Sequence, residues 1–219
     1  MLNLQYIELE TASNPTGAVI WLHGLGANGH DFESVVPELG LPDGAAVRFI
    51  FPHAPELAVT INGGMRMPAW YDIKAMDIDR VVDTEQLMAS ADAVGRLIDR
   101  EVERGIPANK IIIAGFSQGG AVAYELGLTY PERLAGILAL STYFATAETV
   151  KPSEANKDIP INIYHGTYDP MVPEVLGVRS RETLKEMGYD PAYQTYPMEH
   201  SVCLEEIQHI GLFIRKHLL

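Results

Sequence analysis

Ser117, Asp169 and His200 have the side-chain types, and occur in the order, that nucleophilic acyl transfer requires. A serine hydroxyl is a poor nucleophile near neutral pH and needs an adjacent base to take its proton. Imidazole suits that task, and a carboxylate behind it fixes the tautomer and stabilises the cation that forms. Ser117 lies in Gly115-Phe116-Ser117-Gln118-Gly119. A Gly-x-Ser-x-Gly pattern is weak by itself and gains weight only from a buried strand before it and a helix after it.

Both are legible here. Ile111-Ile112-Ile113-Ala114-Gly115-Phe116 is the strongest strand signal in the chain, and Gly119 to Leu126 reads as a helix that must end before Pro131. His200 follows a strand candidate at Ala192–Tyr196 and precedes the last helix. Asp169 follows the strand candidate Ile161–Tyr164 by the short loop His165-Gly166-Thr167-Tyr168. In a parallel sheet the loops leaving the strands' carboxyl ends gather on one edge, which brings these three residues together. Each has a plain alternative: a helix-capping serine, a structural histidine, a loop-capping aspartate. Their shared order and placement favour the catalytic reading.

A developing oxyanion needs donors already in place. The N–H of Gln118, next after the nucleophile, is one; Leu25, flanked by glycines in His23-Gly24-Leu25-Gly26, is the choice for the second. His23 is read as a brace for that loop, His165 as a turn residue, and His30, His53 and His209 have no serine partner suggested by position. Cys203, placed in the final helix, reads as a small buried hydrophobe rather than a nucleophile. No His/Cys/Asp cluster has metal-ligand spacing and no phosphate-binding glycine loop occurs, so neither a metal nor a cofactor is expected.

The elements that position these residues alternate short apolar strands with amphipathic stretches. Ala18–Leu22 and Val47–Phe51 read as strands, with a helix from Asp31 to Glu38 between them. Residues Pro52–Asp72, with Pro52, Pro55, Pro68 and Gly63-Gly64, read as a long functional loop whose Met65, Met67 and Trp70 could line an acyl groove. A long helix follows from Thr84 to Arg104, then a strand at Gly136–Leu140, a helix at Glu174–Met187 and a closing helix at Val202–His217. Without repeats or linkers, one α/β domain is expected over residues 1–219, with a mostly parallel central sheet and helices on both faces.

Composition narrows the partners. The 219 residues carry 29 acidic and 16 basic side chains, a formal net charge of −13. That sign opposes binding to nucleic acid and stable docking on anionic lipid. No stretch reaches the roughly 18 apolar residues of a membrane helix, so no membrane insertion is expected. The single cysteine excludes an intramolecular disulfide, and Met1–Tyr6 lacks the pattern of a signal peptide; a cytoplasmic protein is expected.

Four segments carry a family resemblance over essentially the whole chain. His23-Gly24-Leu25-Gly26-Ala27, Gly115-Phe116-Ser117-Gln118-Gly119-Gly120, His165-Gly166-Thr167-Tyr168-Asp169 and Tyr196-Pro197-Met198-Glu199-His200 resemble the carboxylesterase/acyl-protein thioesterase family of α/β-hydrolases. Thr60–Gly64 and Ala69–Met76 look like its bacterial carboxylesterase branch. The resemblance implies Ser117, Asp169 and His200 as triad, Leu25 and Gln118 as oxyanion donors, no cofactor, a small or absent lid, and frequent homodimers. It implies hydrolysis of short- to medium-chain carboxylic esters, with acyl-protein thioesterase or lysophospholipase activity on the same triad as the alternative. A non-catalytic ligand receptor on the same scaffold is the alternative of another class, disfavoured by the complete set of catalytic positions. Glu199 departs from the family pattern, where glycine is usual before the histidine.

Overall fold

Long apolar runs bury both faces of a strand, and the chain uses them to build a sheet with a core on each side. The computed structural model describes residues 3–76 and 78–219. In chain order its elements are β1 (Tyr6–Glu10), β2 (Gly17–Leu22), β3 (Val47–Pro52), β4 (Glu56–Val59), β5 (Met65–Pro68), β6 (Ile73–Ala75), β7 (Val81–Val82), α1 (Thr84–Glu103), β8 (Ile111–Phe116), α2 (Gln118–Thr129), β9 (Gly136–Leu140), β10 (Ile161–Gly166), α3 (Glu174–Glu186), β11 (Ala192–Tyr196) and α4 (Leu204–Leu218). The main sheet has the order β1-β3-β2-β8-β9-β10-β11. Its pairs are parallel except for β1, which lies antiparallel to β3.

Side chains alternate across the sheet with period two. Ala18, Ile20 and Leu22 of β2, with Ile111 and Ile113 of β8, join the core that includes residues of α1, α2 and α3. Val19, Trp21, Ile112 and Ala114 enter the opposite core, with α4 and a short 3₁₀ helix at Glu33–Leu39. No helix among the described residues is long and apolar enough to cross a membrane.

Three expectations change. The segment 31–38 is not an α-helix but the 3₁₀ helix Glu33–Leu39, with Pro37 inside it; proline has no N–H for an α-helical ladder. Residues 52–72 are not an irregular loop. They contain the antiparallel hairpin β4–β5, turned by Gly63 and Gly64 at φ 67° and 78°, with Val59 paired to Met65 and Leu57 to Met67. The closing helix starts at Leu204, so Cys203 is its half-buried N-cap rather than a helical residue. β1 was not among the expected strands, because its alternating half-buried Tyr6–Glu10 marks a sheet edge. Met1 and Leu2, part of the N-terminal reading, lie outside the described residues.

The first turn of α4 buries Glu206 completely, and neither carboxylate oxygen makes a hydrogen bond of normal geometry to a described residue. Burial pushes its pKa up to about 8, against a smaller opposing pull from the Cys203 N–H. A carboxyl raised in the folded state favours folding when protonated. Its contribution is full below the ordinary value of 4.5 and is lost as pH rises toward about 8. Glu206→Gln, neutral throughout, should match the parent's stability at acid pH and exceed it above pH 8. Urea denaturation at several pH values checks this; parallel curves for the two proteins would refute it.

Candidate active site

The site begins where β8 turns sharply into α2. Ser117 occupies that turn with φ 54° and ψ −120°, a left-handed backbone that a side-chain-bearing residue rarely adopts. The close crossing requires glycine on both sides. A Cβ on Gly115 would lie 2.3 Å from the Gly119 carbonyl oxygen, and one on Gly119 would lie 2.6 Å from that of His23. The strained residue is tied on both sides of its peptide. Ser117 N–H donates to the Leu140 carbonyl at 2.9 Å, and its carbonyl accepts from the Thr142 hydroxyl at 2.6 Å.

The structure brings Ser117, His200 and Asp169 into one hydrogen-bonded chain. Ser117 Oγ is 2.9 Å from His200 Nε2, and His200 Nδ1 is 2.7 Å from Asp169 Oδ2. Asp169 Oδ1 accepts from the N–H groups of Met171 at 2.9 Å and Val172 at 2.8 Å. Burial alone would raise the pKa of Asp169. The hydrogen bonds from His200 and the Val172 and Met171 amides outweigh it and hold the carboxyl below its ordinary range. An ionised carboxylate can only accept, so Nδ1 carries the imidazole proton and Nε2 is left free to accept from the serine hydroxyl. The Phe116 ring packs against the imidazole, with centroids 4.7 Å apart.

Leu25 and Gln118 also border this site. Gln118 is the first residue of α2, so its N–H has no carbonyl a turn earlier to bond. Beyond β2, the Gly26 N–H donates to Pro68 and the Ala27 N–H to Gly24, whereas the Leu25 N–H makes no hydrogen bond to a described residue. His23 braces the loop. Its Nε2 accepts from the Ala54 N–H at 3.1 Å, so its Nδ1 donates to the Gly24 carbonyl at 2.7 Å. Burial pushes its pKa down to about 4, so the ring is neutral at neutral pH.

A cavity of about 340 Å³ opens over Ser117 and His200, with apolar walls from Leu25, Ile61, Met67, Ile73, Phe116 and Tyr143. A larger hollow of about 590 Å³, beside Tyr6, Arg96 and Arg100, includes none of these residues. Neither Trp70 nor Met65, the expected substrate contacts, lines the cavity over Ser117 and His200. Trp70 is fully buried because all its polar groups are used within the protein. Its indole donates to the His23 carbonyl at 2.8 Å, its N–H to Gln118 Oε1 at 2.7 Å, and its carbonyl accepts from the Ser90 hydroxyl at 2.5 Å. Met65, opposite Val59 on β5, is 65% exposed; Met67, two residues on, reaches the cavity instead.

The other histidines sit elsewhere. His165 is a buried strand residue rather than a turn residue, bonded through Nε2 to the Val172 carbonyl at 2.7 Å; His209 contacts the Tyr196 hydroxyl at 2.9 Å. Glu199 is exposed. Among the described residues no group of three or more His, Cys, Asp or Glu side chains could hold a metal ion. Sequence reasoning missed the Gln118 side chain, which holds Trp70 and also donates to the Tyr71 carbonyl at 2.6 Å, and missed Tyr143 and Arg80 in the cavity wall. The only signal for the first was a tryptophan in a proline- and glycine-rich segment; no signal marked the others.

Comparison with known proteins places these features in context. The model of the phospholipase/carboxylesterase family matches residues 6–218. A Gibberella zeae protein named acyl-protein thioesterase 1 is 42% identical over 218 residues, covering 94% of this chain and 93% of its own. A Neurospora crassa protein of the same name is 44% identical over 214 residues, covering 93% of this chain and 87% of its own. The crystal structure of Zea mays acyl-protein thioesterase 2 superposes with a TM-score of 0.86 at 27% identity, over 98% of this chain and 99% of that one. Both sequence relatives are fungal, so they lend no support to a specifically bacterial branch.

The Gln118 side chain offers a test of how the site is held. Gln118→Ala keeps the backbone N–H but leaves the Trp70 N–H and the Tyr71 carbonyl buried without partners. The expected loss is about 2–4 kcal/mol of stability, measured by denaturant unfolding. A loss below about 0.5 kcal/mol would show that the two peptide groups find other partners.

Proposed function

The chain belongs to the phospholipase/carboxylesterase family of α/β-hydrolases, and from that premise we propose that it hydrolyses short- to medium-chain acyl esters and thioesters through an acyl-Ser117 intermediate. The observation that carries this reading is the hydrogen-bonded run from Asp169 through His200 to the Ser117 hydroxyl. In the first step Ser117 Oγ attacks the acyl carbon while its proton passes to His200 Nε2. Asp169 accepts from Nδ1 and stabilises the imidazolium without itself taking the proton. The carbonyl oxygen gains negative charge toward the N–H groups of Leu25 and Gln118, each such donor typically contributing roughly 3 kcal/mol in the transition state. His200 then gives its proton to the departing alcohol or thiol. In the second step the same imidazole activates water, and the acid is released with Ser117 restored.

The apolar cavity supports a hydrocarbon acyl group, and its size, about 340 Å³, is near the small end of ligand sites, roughly 300–1,000 Å³. The names of the fungal relatives favour a thioester leaving group over the oxygen ester that the sequence motifs suggested first. A ligand receptor on this scaffold would have no use for a serine hydroxyl paired to a base, which argues against that alternative.

Intact-mass analysis after treatment with a fluorophosphonate should show one adduct on the parent protein and none on Ser117→Ala. Asp169→Asn should keep the fold and lower kcat by about 10³–10⁴. Absence of the adduct from the parent, or equal labelling of Ser117→Ala, refutes the acyl-enzyme reading. Rates on matched esters and thioesters of one acyl chain then rank the leaving groups.

A further inference from the structure

We propose that the Arg80 side chain is a stopper that ends the acyl pocket and sets the chain length the enzyme accepts, an inference that rests on the acyl-hydrolase reading of Ser117. Arg80 lies immediately before β7, outside the residues that carry the chemistry. It lines the cavity of about 340 Å³ over Ser117 and also a second cavity of about 440 Å³ against α3. Tyr143 is likewise shared by the two. The guanidinium sits over the Tyr143 ring, 4.8 Å from its centroid, and one of its amino groups donates to the Met171 carbonyl on the loop that follows Asp169. Tyr143 is itself held through its hydroxyl, 2.9 Å from that of Tyr71. At this point the partition between the cavities includes a stacked pair of side chains.

The far side of that pair can take hydrocarbon. Phe144, Ala147 and Leu176 give the second cavity an apolar side, along which a chain passing Arg80 would bury further methylenes, while Glu148, Arg179 and Thr183 make another part of its lining polar. The stopper is also imperfectly satisfied: Arg80 Nε is buried with no hydrogen-bond partner among the described residues, so the closed position carries a desolvation cost. The next residue back, Asp79, pairs with Arg179 of α3 at 3.2 Å, which ties the turn to the second cavity's outer wall. A long chain must therefore displace Arg80 from Tyr143 and Met171, whereas a short one need not touch it.

Chain-length selectivity tests the assignment. The full-length protein and two variants, Arg80→Ala and Arg80→Met, are assayed on p-nitrophenyl butyrate, octanoate and laurate, and kcat/KM ratios are compared. Truncation to alanine removes the partition, and each methylene newly buried should then gain about fourfold in kcat/KM. The laurate-to-butyrate ratio should rise by about tenfold or more over the parent. Methionine keeps a long side chain without the charge, and should hold the ratio within about threefold of the parent. Labelling rates with short- and long-alkyl fluorophosphonates read the same ratio if turnover in a variant is too low. A ratio in Arg80→Ala within about threefold of the parent, or an equal rise in Arg80→Met, overturns the stopper. A parent protein that neither hydrolyses any ester nor labels at Ser117 overturns the acyl-hydrolase reading itself, and the two failures are thereby distinct.

Discussion

The backbone at Ser117 is the constraint on which the rest of the site depends. A serine held at φ 54° and ψ −120° costs about 1–3 kcal/mol, so the surrounding structure must over-determine it. It does so from three directions. β8 is buried between β2 and β9 and cannot shift to relax the turn. The Leu140 carbonyl at the end of β9 holds the Ser117 N–H, and Thr142, two residues further, holds its carbonyl. Glycine at 115 and 119 lets strand and helix cross at a separation that any side chain would prevent. The result is a hydroxyl lifted clear of both elements and presented to His200.

The same turn organises the segment that walls the cavity. Its next residue, Gln118, faces two ways: the backbone N–H opens α2, while the side chain crosses to the peptides of Trp70 and Tyr71. Trp70 in turn donates to the His23 carbonyl, and His23 spans from Gly24 to Ala54. The N–H of Gly26 closes the circuit on Pro68. The β8–α2 turn, the His23–Gly26 loop and the β4–β5 hairpin are thus one network of hydrogen bonds, most of it buried. Buried polar groups without partners are costly, which makes such a network hold one arrangement. Trp70 is accordingly a keystone of the wall rather than a surface for substrate.

How far the sequence reveals all this depends on the range over which each signal acts. β8, α1, β9 and β11 were legible because a local run or period of apolar residues reports them within a few residues. Ser117, Asp169 and His200 were legible because topology places strand ends on one edge, so order along the chain stands in for proximity. The hairpin at 56–68 was not legible: Pro55 and Pro68 suggested irregular backbone, yet both stand at its margins and leave the pairing intact. Arg80 was hidden for another reason. Its partners are Tyr143 and the Met171 carbonyl, more than sixty residues away, and no local pattern encodes a contact made by one flexible side chain.

Two buried carboxyls show what makes the site's charge usable. Asp169 and Glu206 are both withdrawn from water, and burial raises the pKa of each. Asp169 receives His200 and two backbone amides, and its carboxyl is held low; Glu206 receives no well-formed hydrogen bond and is pushed up to about 8. Depth alone therefore does not decide which acid carries charge at neutral pH. The donors do: the His200 ring, and the backbone amides of Val172 and Met171 in the turn that follows. This matters for the proposed reaction, in which the imidazolium must find its counter-charge already present when Ser117 gives up its proton. The overall charge of −13 contributes little to that requirement, since exposed acids are screened over about 8–10 Å of salt solution. One anion, held by three donors and shielded from water, supplies it.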